Sequence, residues 1–441
     1  MRVGVIGTGH VGLITCASFA AVGHDVVGTD ADRSKIDALS TGDMPFHEPG
    51  VADSIRDGMT SGRLSFSHET AEAVRAADVV FVCVGTPARA SGEANLVAVE
   101  QAAREVVSHA PPGLVIAEKS TVPAGTADRL RRSVALQRPD IAGSVEVVSN
   151  PEFLREGHAL HDAMHPERIL VGAGSDAAFR VMRRLYEPFT SEGARLIETD
   201  IRTAELAKHA CNAFLALKIS YANALARLCE RADADVEAVT EVMGADSRIG
   251  PAFLNAGLGY GGYCFPKDLV AFDHLASSLG YDFAMLREVA RINDEAIDAT
   301  VEKVRDALWN LEDKRVALLG LAFKPGTDDV RIAPALMLAQ RLRELGATVV
   351  GYDPHAAESA VRAQPELEVA PTAYEAAREA HCVVLCTEWE EFQELDFDKL
   401  GEIMATRVFV DGRNAIDGER AVAHGFHFYP TGRRPLSPGR A

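Results

Sequence analysis

The sequence predicts an α/β chain of two doubly wound, Rossmann-like domains joined by a long central helix and a helical middle domain. Two strand, glycine, helix and strand segments that echo one another, and a Gly- and Pro-free stretch between them, predict it. In the first segment Arg2-Val3-Gly4-Val5-Ile6 runs into Gly7, and His24-Asp25-Val26-Val27-Gly28-Thr29 ends at Asp30. In the second, Arg315-Val316-Ala317-Leu318-Leu319 runs into Gly320, and Ala347-Thr348-Val349-Val350-Gly351-Tyr352 ends at Asp353. A further apolar strand follows each, at residues 78–84 and 381–386. Continuous apolar runs of this kind suit parallel sheets covered on both faces.

Between the two segments, residues 194–243 contain neither Gly nor Pro. From Ile201 onward Ala204, Ala207, Cys211, Phe214 and Leu225 recur at helical spacing, which predicts a long helical connector. A second helical stretch is expected at about 282–311. The expected domains are 1–198, 199–311 and 312–430, followed by a flexible Pro-, Gly- and Arg-rich tail, 431–441.

Composition narrows the function. A length of 441 residues favours two or three domains, and 47% apolar with 25% charged residues is ordinary for a globular chain. The formal net charge of −19 has the wrong sign for a nucleic-acid partner, so an anionic ligand needs a local basic island. Seven cysteines without a CxxC pair argue against a disulfide framework and a tetrathiolate zinc site; no metal is expected. The start lacks the apolar core of a signal peptide, and no apolar stretch approaches about 18 residues. A cytoplasmic protein with no membrane role is the expectation.

Gly7-Thr8-Gly9-His10-Val11-Gly12 fits GxGxxG between a predicted strand and helix. The first glycine permits the turn, the second admits a pyrophosphate and the third lets helix and strand pack closely. Asp30, eighteen residues after Gly12, can accept from ribose hydroxyls and repels a 2′-phosphate, so NAD is preferred over NADP. Ligands bind at the carboxyl ends of such strands. Thr86, Thr121 and the segment Asn150-Pro151-Glu152-Phe153-Leu154-Arg155-Glu156 are therefore expected on one rim. Thr86 and Thr121 serve equally well as turn hydroxyls, and Glu152 and Glu156 share a face if their loop opens a helix.

Six glycines from Gly244 to Gly262 precede Tyr263-Cys264-Phe265-Pro266-Lys267-Asp268, and packing alone hardly explains a backbone so costly to order. Cys264 lies before a helix expected to start at Pro266, with Lys267 nearby. Both lower a thiol pKa, so Cys264 reads as a nucleophile, whereas the other six cysteines lie in apolar elements. Lys208 and Asn212, spaced i, i+4, can hold an oxyanion or a water, or simply form a polar stripe. In the second domain the fingerprint's second glycine gives way to Ala322 and a cation, Lys324, enters. With Arg331, Arg413 and Arg248 it supplies the basic island.

Taken together, GTGHVG at 7–12, VGTP at 84–87, STVP at 120–123, NPEFLREG at 150–157, KHACNAFLALKIS at 208–220, GYGGYCFPKD at 259–268 and FKPGTDDVR at 323–331 resemble the UDP-glucose/GDP-mannose dehydrogenase family. The resemblance covers nearly the whole chain, and residues 165–168 and 246–250 look more like its UDP-glucose branch. It implies a four-electron oxidation of the sugar C6 alcohol to a carboxylate with two NAD, through a Cys264 thiohemiacetal and thioester. It further implies that Lys208, Asn212 and Asp268 stabilise the oxyanion and order a water, that Glu152 is the hydrolytic base and that Thr121 positions water. Cofactor contacts are implied at Gly7, Gly9, His10, Val11, Gly12, Asp30, Lys35, Thr86, Thr121, Glu156, Lys267 and Arg331. Sugar-nucleotide contacts are implied at Glu152, Phe153, Leu154, Arg155, Lys208, Asn212, Tyr260, Gly261, Phe323, Lys324 and Arg413, with Arg248 reaching the partner's site in a homodimer. Tyr263, where the family usually has Ser, and His158, where it often has Thr, depart from the pattern. The same chemistry on a UDP-N-acetylhexosamine or GDP-mannose, and a non-catalytic NAD-binding scaffold, are the alternatives.

Overall fold

The computed structural model describes residues 1–439; Arg440 and Ala441, the end of the expected tail, lie outside the described residues. The chain forms two compact units, Met1–Cys211 with Val270–Asp282, and Asn212–Leu269 with Phe283 onward. The helical middle section is shared between them and makes no third unit.

The first unit is built on an eight-stranded sheet of β1 (Arg2–Ile6), β2 (Asp25–Thr29), β3 (Leu64–Ser67), β4 (Val79–Val82), β5 (Val115–Glu118), β6 (Glu146–Ser149), β7 (Arg168–Gly172) and β8 (Arg195–Thr199). Its order is β3-β2-β1-β4-β5-β6-β7-β8, reversing direction between β1 and β4, where such sheets leave a crevice. The first six strands are parallel, and β7 runs antiparallel to β6. Val79 and Phe81 pack into one core with Leu13 and Phe19, while Val80 and Val82 pack into another with Val106 and Ile116. Both faces are buried, which is why the strands lack polar alternation.

The second unit carries six parallel strands: β9 (Arg315–Leu319), β10 (Thr348–Tyr352), β11 (Glu368–Val369), β12 (Cys382–Leu385), β13 (Val408–Asp411) and β14 (His427–Pro430). Their order, β11-β10-β9-β12-β13-β14, repeats that of β3 to β6 strand for strand. The register repeats too: Arg2 stands opposite Asp25, and Arg315 opposite Thr348. The echo breaks after the glycine. Helix His10–Ala21 starts three residues past Gly7, whereas helix Pro334–Glu344 starts only after a loop running from Gly320 to Ala333.

Two expectations need correction. The connector is not one helix: β8 occupies 195–199, and helices Ile201–Ala232 and Val236–Ala245 are separated at Asp233, whose φ is 57°. Asp235 starts the second helix by accepting from the Glu237 and Ala238 amides. The tail, described to Gly439, is docked through residue 436. The Gly432 amide donates to Glu230 Oε1 at 2.8 Å, Arg434 Nε to Asp233 Oδ1 at 2.7 Å, and Leu436 bridges Phe428. Acids at the helix break attract the basic tail.

Candidate active site

In the first unit the three fingerprint glycines have three distinct causes. Gly7 sits at φ 95°, and a Cβ there would lie 2.6 Å from the Cys83 carbonyl oxygen. A Cβ on Gly12 would overlap the Gly7 carbonyl oxygen. Around a Cβ on Gly9 there is no atom within 4 Å. No protein atom requires that glycine, so the space fits a ligand pyrophosphate, and the helix that begins beside it has no side-chain cap. Asp30 Oδ2 accepts from the Thr8 amide at 2.8 Å and from Lys35 Nζ at 2.8 Å, while Oδ1 accepts from the Asp32 amide. Burial pushes the Asp30 carboxyl up, but Lys35 and the two amides outweigh it and hold it below the usual range. The equivalent Asp353 accepts five hydrogen bonds, from Leu321, Ala322, His355, Ala356 and Trp389, which leaves little capacity for a ribose.

The loops after β4, β5 and β6 do meet. Thr86 Oγ1 donates to the Thr121 carbonyl at 2.9 Å, and the Asn150 amide to the Glu118 carbonyl. No helix opens at Glu152, because helix Ala159–Met164 starts seven residues later; Glu152 and Glu156 therefore do not share a helical face. Glu152 is instead buried in an ion pair, with Oε1 3.0 Å from Lys208 Nζ and Oε2 accepting the Leu154 amide at 2.6 Å. Lys208 also lies 5.1 Å from the Phe153 ring centroid. The Arg155 guanidinium is held bidentate by Asp162.

Three residues beyond the sequence reading border this cluster. Burial raises the Glu118 carboxyl to about 8; its Oε1 accepts the Ser120 amide at 3.0 Å and its Oε2 has no partner. Lys119 Nζ reaches Asn150 Oδ1 at 3.2 Å, and burial lowers its pKa to about 8. Glu48 is buried and accepts from the Gly157 amide at 2.7 Å and the Ala159 amide at 2.8 Å, clamping the turn after Glu156. Phe46, in the same segment, stacks on His10 with centroids 3.5 Å apart.

In the second unit, protein packing does explain the glycine-rich loop, contrary to expectation. A Cβ on Gly257 would lie 2.6 Å from the Gly412 carbonyl oxygen, and one on Gly261 would overlap that of Ile332. The loop is fastened further by Tyr260, whose amide donates to Asn293 Oδ1 while Asn293 Nδ2 donates back to its carbonyl. Helix Cys264–Ser278 begins at Cys264 itself, two residues before Pro266. Cys264 is partly exposed there, whereas burial drives the Cys83 and Cys386 thiols up to about 12 and raises those of Cys16 and Cys382 as well. Cys211 is also partly exposed, but lies inside helix Ile201–Ala232. Asn212 Nδ2 donates to Asp268 Oδ2 at 2.6 Å, and Lys267 Nζ bonds Asp268 Oδ1 at 2.5 Å. Asp268 thus offsets the Lys267 charge, and Cys264 stands at a helix N-terminus, whose dipole favours a thiolate.

Among the basic-island residues, Arg413 braces three segments by donating to the carbonyls of Cys386, Gly259 and Phe323. Arg331 forks onto Asp329, Arg248 onto Asp246, and Lys324 lies 5.5 Å from the Phe323 ring centroid.

The sequence matches the UDP-glucose/GDP-mannose dehydrogenase family in its NAD binding domain over residues 1–190, its central domain over 202–295 and its UDP binding domain over 317–418. The chain belongs to the UDP-glucose/GDP-mannose dehydrogenase family. As a member it is an NAD-dependent oxidoreductase with two Rossmann-like domains. The UDP-glucose 6-dehydrogenase of Rhizobium meliloti (strain 1021) is 44% identical over 98% of this chain and all of its own. A UDP-glucose dehydrogenase from Pyrobaculum islandicum superposes with a TM-score of 0.86 at 38% identity, covering 94% of both chains. A UDP-D-ManNAc dehydrogenase from Pyrococcus horikoshii also gives 0.86, at 28% identity, covering 98% of this chain and 99% of its own. Among the described residues no helix is long and apolar enough to cross a membrane.

Proposed function

We propose that this family member oxidises the C6 alcohol of UDP-glucose to the carboxylate, consuming two NAD. The observation that carries the reading is Cys264, a partly exposed thiol on the first residue of a helix. A plain alcohol dehydrogenase has no use for it. Gly7 to Gly12 would hold NAD, with Asp30 accepting from its ribose, and the bound cofactor would supply the hydride acceptor for both oxidations. Residues 1–198 are assigned to the cofactor and 312–430 to the nucleotide, where Lys324 and Arg413 meet the diphosphate sugar.

The first oxidation removes a hydride and a proton from the alcohol, with Lys208 and Asn212 stabilising its oxygen as charge develops. An aldehyde lacks the alkoxide that expels a second hydride. Addition of the Cys264 thiolate to the aldehyde carbon restores one, and loss of the second hydride leaves a thioester. Glu152 takes a proton from the water that attacks the thioester, releasing the carboxylate and the thiol. Thr121 and Asp268 order that water.

A homodimer is part of the reading. Phe214, Tyr221 and Leu228 recur every seventh residue on helix Ile201–Ala232 and are 61%, 52% and 60% exposed, an apolar stripe suited to a second copy. Arg248 then serves the partner's site. A cytoplasmic location fits a small-molecule enzyme of this kind.

The test is stoichiometry. Purified protein with UDP-glucose is expected to form two NADH per sugar consumed; one NADH with release of an aldehyde contradicts the proposal. The match to a UDP-D-ManNAc dehydrogenase favours, as second reading, the same chemistry on an N-acetylhexosamine. A panel of nucleotide sugars compared by kcat/KM separates the two.

A further inference from the structure

Tyr263 immediately precedes the nucleophile, and its half-buried ring has a cation against it from each of two segments. The Arg331 guanidinium carbon lies 4.6 Å from the ring centroid and Lys267 Nζ 5.3 Å from it, both within the range of cation–π attraction. Each cation is also held by a carboxylate: Arg331 by Asp329, with Nε 2.9 Å from Oδ1 and Nη2 2.6 Å from Oδ2, and Lys267 by Asp268, which in turn holds Asn212. The ring therefore joins two charge pairs into one chain, Asp329, Arg331, Tyr263, Lys267, Asp268 and Asn212. Small or aliphatic side chains at 263 cannot make this link, because they present no π face to either cation. Burial raises the phenol pKa, so the ring meets both cations as a neutral phenol.

We propose that Tyr263 is a positioning residue: its aromatic face fixes the Arg331 guanidinium for the anionic part of the cofactor and holds Lys267 on Asp268. The inference rests on the proposed function, extended by the cofactor contact that the family resemblance implies for Arg331. It assigns the work to the ring face and none to the hydroxyl.

Two variants separate ring from hydroxyl. Tyr263→Phe keeps the face and is expected to stay within about twofold of wild type in kcat and in KM for NAD. Tyr263→Leu removes the face; it is expected to raise KM for NAD about three- to tenfold with kcat changed less than about threefold. Tyr263→Ser gives the same reading should leucine not be accommodated. A merely structural role lowers the amount of active enzyme, hence kcat at unchanged KM. That outcome overturns the proposal, as does a leucine or serine variant with wild-type KM, or a phenylalanine variant as impaired as leucine. Wild-type protein that fails to reduce NAD with any nucleotide sugar overturns the proposed function instead.

Discussion

Lys208 and Glu152 form a buried ion pair, 3.0 Å apart, with side chains only 4% and 8% exposed. Removing either partner of such a desolvated pair leaves the other uncompensated, and the proposed function gives Glu152 the role of hydrolytic base. Glu152→Gln is expected to slow the steady state about 10²- to 10⁴-fold, the usual worth of a general base. The first turnover survives, so rapid mixing shows a burst of NADH followed by a stall, and intact-mass analysis shows an acyl adduct on the protein. A variant that stalls without burst or adduct places Glu152 before the thioester and contradicts its hydrolytic role.

Asp30 accepts from Lys35 and from the Thr8 amide, and in the proposed function its carboxylate receives the ribose hydroxyls and excludes a 2′-phosphate. Asp30→Ala removes a ribose acceptor and leaves the Lys35 ammonium without its carboxylate. A hydrogen bond to a charged group is worth about 1.5–3 kcal/mol, so kcat/KM for NAD is expected to fall about 10- to 100-fold while that for NADP rises. Unchanged discrimination between the two cofactors counts against the assignment.

Glu48 holds the turn after Glu156 through the Gly157 and Ala159 amides. In Glu48→Gln the carboxamide NH2 faces one of those donors, so one bond is lost inside the protein. The expected cost is about 1–3 kcal/mol in chemical denaturation, with faster hydrogen exchange at residues 157–159. Undiminished protection of those amides refutes the clamp.

The Glu118 carboxyl, raised by burial to about 8, gives a signed pH dependence. Below about pH 4.5 both folded and unfolded states are protonated there. As pH rises toward 8 the unfolded chain ionises while the folded one stays neutral, so this group costs stability progressively and fully above 8. Glu118→Gln keeps the acceptor for the Ser120 amide. The variant's stability relative to wild type is therefore expected to rise between pH 5 and 8, on the order of a few kcal/mol. Parallel denaturation curves at the two pH values are the contrary result.

The doubly wound sheets were legible because apolar strands buried on both faces repeat in the sequence, down to the acids Asp30 and Asp353. Strand β8 was not: Arg195 and Glu198 are exposed, and a run without Gly or Pro reads equally well as helix. That packing accounts for the glycines at 257–262 is not legible in the sequence, because the segments that crowd them, near Asn293, Ile332 and Gly412, lie far along the chain. Distance in sequence also hid Glu48, whose partners lie 109 and 111 residues away. Glu118 ends an apolar strand, and burial of an unpartnered oxygen leaves no mark on residue order. Local motifs, Cys264 and Gly7 to Gly12 above all, were visible because their chemistry depends on immediate neighbours.

Cys264 bears the whole scheme, and Cys264→Ala tests it most directly. Steady-state formation of NADH from UDP-glucose by the alanine variant, folded as judged by retained NAD binding, is expected to fall at least about 10³-fold. Turnover equal to wild type, at two NADH per sugar, contradicts covalent catalysis by this thiol.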